Sequence, residues 1–148
     1  MKTMKVLRFN DSMDAPALVP GTAPVPQPGP GEMLIRVHAA GVTPTELQWY
    51  PTAHTKEGAR RVGVILGHEF SGTVEAVGPD VDPDQRGREV YGMNDWFAEG
   101  ATAEYCVTSA GSVAAKPSRL THLEAASVPI GALTAWQGLF DRAKLQAG

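Results

Sequence analysis

The run Gly67-His68-Glu69-Phe70-Ser71-Gly72-Thr73-Val74-Glu75-Ala76-Val77-Gly78 constrains this chain more than any other. Between its bracketing glycines, Phe70, Gly72, Val74 and Ala76 fall on one parity, and Ser71, Thr73, Glu75 and Val77 on the other. Side chains alternate across a strand, so this period of two predicts a strand with one buried face. His68 and Glu69 stand just ahead of it, where the chain leaves a turn at Gly67 and side chains can project from a sheet rim into a cleft. Two readings are open there: a site, or a hydrogen-bonded histidine beside a solvated carboxylate.

A chain of 148 residues predicts one domain, long enough to bury roughly 70% of the surface its unfolded form exposes. Cys106 is the single cysteine and cannot form an internal disulfide, so a reducing cytoplasm is the expected compartment. With 13 basic against 16 acidic residues there is no basic excess to attract nucleic acid or an anionic membrane. A small-molecule partner is expected instead. Met1 to Asn10 carries Lys2, Lys5 and Arg8 among apolar residues, with no long apolar run, and reads as neither signal peptide nor membrane span. Asn10-Asp11-Ser12 matches a glycosylation sequon, which without a secretion signal is a chance match.

Lys2 to Phe9 reads as a first strand. From Ala15 to Gly31, Pro16, Pro20, Pro24, Pro26, Pro28 and Pro30 interleave with Gly21, Gly29 and Gly31. A proline lacks the ladder N–H, so this segment is expected as extended or turn-rich chain wrapped over a surface, not as a central strand. A polyproline recognition ligand is the functional alternative, and no disordered sequence around it supports that. Glu32 to Ala40 alternates Met33, Ile35, Val37 and Ala39 with Leu34, Arg36, His38 and Ala40, which predicts a central strand. His38 reads as a surface or satisfied residue.

Thr43 or Pro44 can open a short helix through Leu47, Gln48, Trp49 and Tyr50. Pro51 to Arg61 is polar and without period, a loop that rims a cleft. Asp80, Asp82 and Asp84 alternate but lack the glycine and distal glutamate of a calcium loop, so a solvated turn is expected. Trp96 and Phe97, between two further strands, are either a hydrophobic plug or a pocket wall. Cys106 reads as a small buried hydrophobe. Thr121 and Glu124 form a capping box. Val128-Pro129 then interrupts, and a second helix from Gly131 or Ala132 carries Leu133, Trp136, Leu139 and Phe140 on one apolar face, with Thr134 off it.

Taken in order, GHEFSGTVEAVG, the Gly87-Arg88-Glu89-Val90 strand, the Gly100-Ala101-Thr102-Ala103-Glu104-Tyr105 strand and the Val128-Pro129 to Thr134-Ala135 helix resemble the medium-chain dehydrogenase/reductase superfamily in its GroES-like N-terminal domain. In that superfamily's zinc alcohol dehydrogenases the turn matching Thr43 carries a cysteine that ligates catalytic zinc. Here it more nearly resembles the zinc-independent quinone oxidoreductase branch, with Thr43 in place of the usual Asn and Glu46 in place of the usual Asp. A catalytic zinc site takes three protein ligands and an open position. The chain offers His68 and a distant Cys106, and the four-cysteine lobe is missing, since Pro79 to Arg86 holds no thiol. Zinc is therefore not expected.

The resemblance implies a mainly β fold: a GroES-like, partly open β-barrel with short helices, and a C-terminal helix leading toward an absent Rossmann domain. Residues 1–130 would be the substrate domain and 131–148 the linking helix. The implied activity is NADPH-dependent transfer of hydride to a quinone or an α,β-unsaturated carbonyl. Thr43, Gln48 and Tyr50 would supply polar groups at the reacting oxygen, His68, Trp96 and Phe97 would line the substrate pocket, and Thr134 would approach the nicotinamide. No G-x-G-x-x-G run or P-loop is present to hold the cofactor's phosphates, so the 148 residues alone are expected to be inactive. Alternatives are a zinc-dependent alcohol dehydrogenase domain and a non-enzymatic GroES-like binding or assembly module. A homodimer of the complete enzyme is left open.

Overall fold

The computed structural model describes residues 2–10 and 17–146. Asp11 and Ser12 of the sequon, Ala15 and Pro16 of the proline-rich segment, and the last two residues lie outside them. Strands β1 (Thr3–Asn10) and β2 (Ala17–Pro24) form an antiparallel ribbon in which Thr3 faces Pro24 and Asn10 faces Ala17. The proline-rich segment thus contributes a strand that the sequence presents only as extended chain. The physical reason is its edge position. Val25 sends its N–H back to the Lys2 carbonyl at 2.9 Å, so the residues of the other parity, Pro20 and Pro24 among them, turn their nitrogens to the side where no strand pairs.

The second sheet is antiparallel and runs β6-β3-β4-β5-β7. It is built from β3 (Glu32–Ala40), β4 (Glu69–Val77), β5 (Glu89–Met93), β6 (Tyr105–Ser109) and β7 (Val113–Ala115). Bridges from Val6 to Ala103 and from Arg8 to Ile65 tie the ribbon to it without closing the wall. The result is mainly β and partly open, as expected. Ile35, Phe70 and Val74, with Met33, Val90 and Cys106 around them, fill the main core, and Met4, Val6, Ala23 and Ile65 form a second cluster beneath the ribbon. Burial pushes the Cys106 thiol up to about 12, which makes it an inert hydrophobe at neutral pH.

β4 was expected to bury one face, yet Glu69, Phe70, Ser71 and Gly72 are all buried. Helix α2 (His122–Ala126) covers the second face, starting from the expected capping box of Thr121 and Glu124. Ser71 is satisfied there. Its hydroxyl donates to the Val90 carbonyl at 3.0 Å and lies 2.8 Å from His122 Nδ1. His122 Nε2 is 3.1 Å from Glu89 Oε1, and His38 stacks on the His122 ring at 4.3 Å while its Nε2 meets Thr73 Oγ1 at 2.9 Å. His38 is thus satisfied, as expected.

This cluster makes the fold acid-sensitive. Partial desolvation, then the neighbouring His122 and Arg36, hold His38 below its ordinary 6.5, with Glu89 opposing. The unfolded chain therefore binds this proton more readily, so stability is full above about pH 6.5 and falls as pH drops through that value. Hydrogen bonds from His122 and Lys116 hold the Glu89 carboxyl below its ordinary 4.5, a contribution lost only at still lower pH. Melting temperature should fall from pH 8 to pH 5, and His38→Gln should flatten the upper part of that slope. A melting temperature that rises on acidification contradicts the assignment.

Helix α3 (Pro129–Trp136) begins at Pro129, not Gly131, because a proline at the first helical position arrives with its φ already set. It runs on through a wider turn to Arg142. The predicted stripe of Leu133, Trp136, Leu139 and Phe140 is present and largely solvent-facing, with Leu133 47% and Trp136 60% exposed.

Candidate active site

Gly67 turns with φ near +86°, a conformation open to glycine, and delivers His68 and Glu69 to opposite sides of the β4 entrance. The turn that follows β3 carries the partner. In its single 3₁₀ stretch (Pro44–Gln48), Glu46 points inward and is 3% exposed. Its two carboxylate oxygens accept the Gly67 N–H at 3.0 and 3.3 Å, and Oε1 lies 2.6 Å from His68 Nδ1. Thr52 pins the same segment by donating to the Glu46 carbonyl at 2.5 Å. A carboxylate only accepts, so Nδ1 carries the hydrogen and donates it. That leaves His68 Nε2, which is buried and has no hydrogen-bond partner among the described residues.

Glu69 is not the solvated carboxylate that was one of the two readings. It is 7% exposed, and its Oε2 accepts the Ile130 N–H at 2.9 Å at the start of α3. Gly41 makes this possible. Its N–H donates to the Glu69 carbonyl at 2.9 Å, and a Cβ at Gly41 would run into the Glu69 side chain. The two residues after Gly67 therefore anchor two different elements: the Glu46 turn and α3.

Between those elements opens a cavity of about 500 Å³, walled chiefly by Trp49, Pro51, Met93, Trp96, Ile130 and Thr134. That volume suits a small organic ligand. Trp49 meets Trp96 edge-on at 5.0 Å, and the His68 ring lies 5.5 Å behind Trp96. Of the residues singled out from sequence, Trp96 and Thr134 meet at this cavity. Phe97 shares an adjacent groove with Trp96, beneath the Lys56 ammonium at 5.5 Å. Thr43 lines a separate apolar recess with Leu18, Val42 and Leu66. Gln48 is exposed, and Tyr50 stacks on His54 at 4.5 Å, away from the cavity wall. Glu46, Trp49, Met93 and the Glu69–Ile130 tie were not found from sequence. Nothing periodic links Glu46 to His68; the only signal was an acidic residue in a turn the family resemblance had already marked.

Zinc can be tested against these donors. His68 Nε2 is an open imidazole nitrogen, but Glu69 Oε2 is taken by the Ile130 N–H, Glu46 by Gly67 and His68, and Cys106 is buried in the core. Among the described residues no group of three His, Cys, Asp or Glu could hold a metal ion. The set does not fit a three-ligand zinc centre.

No helix among the described residues is long and apolar enough to cross a membrane. Residues 29–118 match the alcohol dehydrogenase GroES-like domain family. A mitochondrial protein of Arthroderma benhamiae, described as a probable zinc-binding oxidoreductase, is 36% identical over 94% of this chain and 41% of its own length. The mouse mitochondrial NAD(P)H oxidoreductase RTN4IP1 is 34% identical over 91% of this chain and 35% of its own. The chain thus spans about two fifths of the relatives it matches. Among solved structures, an alcohol dehydrogenase superfamily protein of Novosphingobium aromaticivorans superposes with a TM-score of 0.85 at 32% identity, over 98% of this chain and 44% of its own. The quinone oxidoreductase of Coxiella burnetii gives 0.81 at 30%, over 99% and 47%. With the barrel, the Gly67-His68-Glu69 turn and these likenesses together, the chain belongs to the alcohol dehydrogenase GroES-like domain family of the medium-chain dehydrogenase/reductase superfamily.

Proposed function

We propose that this chain is the acceptor-binding part of an NADPH-dependent oxidoreductase that passes hydride to a quinone or an α,β-unsaturated carbonyl without a catalytic zinc. The observation that carries the reading is the tryptophan-walled cavity beside α3, in a domain whose relatives are oxidoreductases. A reduced nicotinamide supplies the hydride when bound. The chain's own residues shape the acceptor's place: Trp49 and Trp96 give a flat ligand apolar walls, and Thr134 and Gln137 give polar ones, Thr134 being the group proposed to approach the nicotinamide. Thr43, Gln48 and Tyr50 stand off this cavity, so the polar role at the acceptor oxygen passes from them to groups around His68.

In this reading residues 1–130 form the acceptor domain and 131–148 lead to a dinucleotide-binding fold that would cover the outward stripe of Leu133, Trp136, Leu139 and Phe140. The single buried thiol fits a reducing compartment, the cytoplasm being the simplest. A zinc-dependent reading draws support from the Arthroderma benhamiae relative's description, and metal analysis of the purified chain separates the two. For the proposal itself, a 1,4-quinone titrated into the chain should quench tryptophan emission saturably, and Trp96→Ala should weaken that affinity about tenfold, the loss of one aromatic contact of about 1.4 kcal/mol. A strictly linear, unsaturable quench in the parent chain contradicts it.

A further inference from the structure

His68 Nε2 is the atom that the reading so far leaves without a use. Its residue is 3% exposed, and a buried nitrogen with no hydrogen-bond partner is a departure from how folded proteins treat polar atoms. The opposite ring nitrogen is, by contrast, held hard: Glu46 Oε1 lies at 2.6 Å, and the carboxylate is itself fixed by the Gly67 N–H. A carboxylate on Nδ1 fixes the ring's orientation and tautomer and stabilises the ring when Nε2 takes on a proton. The arrangement is that of a carboxylate-supported imidazole whose second nitrogen is buried without a partner, one ring away from the cavity. Trp96 lies between it and the cavity side: its ring is 5.5 Å from the His68 ring, lines the cavity and is 38% exposed.

We propose that His68 is the acid–base group of this site, exchanging a proton through Nε2 with the oxygen of the bound acceptor, with Glu46 as its positioning residue and Trp96 as the cover that moves aside. The proposal rests on the reading of the cavity as an acceptor site. In the reductive direction the acceptor carbon or quinone gains a hydride, hence two electrons, from the reduced nicotinamide, and an oxyanion is left. The N–H bond at Nε2 breaks, an O–H bond forms on that oxyanion, and the electron pair stays on Nε2. The Nδ1 hydrogen remains on the ring, facing Glu46. The proton on Nε2 is taken from solvent before the transfer, when the resting ring carries its hydrogen on Nδ1 alone, and the ring returns to that neutral state once the O–H bond has formed.

The test is nitrogen NMR on the chain labelled uniformly with ¹⁵N, so that the His68 ring, the Trp96 indole and the Thr134 amide are all observed, titrated with 1,4-hydroquinone in deaerated buffer. The expected result is a neutral His68 ring protonated on Nδ1, whose Nε2 resonance moves saturably as hydroquinone is added. In Glu46→Gln the tautomer preference should relax and the Nε2 response should shrink, while the Trp96 and Thr134 signals still report binding. His68→Gln serves as the assignment control. If Trp96 and Thr134 respond in the parent chain and Nε2 does not, the acid–base role is wrong and the cavity reading stands. Should none of the three respond, both fall. Stoichiometric displacement of the Nε2 resonance by Zn²⁺ with no response to hydroquinone would also overturn the proposal, by making the nitrogen a metal ligand.

Discussion

Glu46→Ala is expected to destabilise the fold by about 3 kcal/mol, because breaking a buried charged contact by removing one partner costs far more than the contact contributes net. The alanine leaves the buried Gly67 N–H and His68 Nδ1–H without their acceptor. Glu46→Gln should recover part of the loss, since its amide oxygen can accept one of those hydrogens. Urea unfolding followed by far-ultraviolet dichroism measures both. A loss under about 1 kcal/mol for the alanine variant means that the Glu46–His68 contact is not buried as described.

The second large effect is Phe70→Ala, expected to cost about 4 kcal/mol, the usual range for deleting a fully buried aromatic ring. Phe70 is 0% exposed and lies among Ile35, Val74 and Cys106, all buried, with β3 and β5 fixing the backbone on either side of it. The surroundings therefore have little freedom to collapse into the space. The same unfolding experiment gives the number, and Phe70→Leu should cost less than half as much. Equal losses for the two substitutions argue that the site repacks, contrary to the close packing described.

The strands were the legible part of this chain. Period-two runs at Glu32–Ala40 and Glu69–Val77 mark the two paired central strands because alternation is a property of the backbone itself. The second buried face of β4 was illegible. Ser71 looks polar in sequence, and only the docking of α2, with His122 beside its hydroxyl, makes it a buried position. β2 was hidden for the opposite reason: its prolines disqualify it as a central strand and say nothing against an edge. The stripe on α3 was read correctly as apolar, yet amphipathicity does not say which partner covers a face.

At the candidate site, Trp96 and Thr134 were legible from the motifs around them, and His68 from its turn. Glu46, Trp49 and Met93 were not, because the turn that carries Glu46 and Trp49 and the β5 end that carries Met93 are far apart in sequence and come together only after β4 has paired with β3 and β5. Thr43, Gln48 and Tyr50 are the polar positions of this turn that the family resemblance implies near the reacting groups. The 3₁₀ stretch and the short helix after it, α1 (Tyr50–Ala53), turn Glu46 and Trp49 inward and leave Gln48 and Tyr50 outside.

The central claim is that this chain builds the acceptor side of a shared site and leaves the cofactor's phosphates to a dinucleotide fold. Its most direct test is a titration of the 148-residue chain with NADPH, followed by nicotinamide fluorescence to millimolar concentration. The account predicts no saturable binding. Saturable binding would contradict it, because the chain would then hold the cofactor by itself and the division of labour between two domains would be wrong.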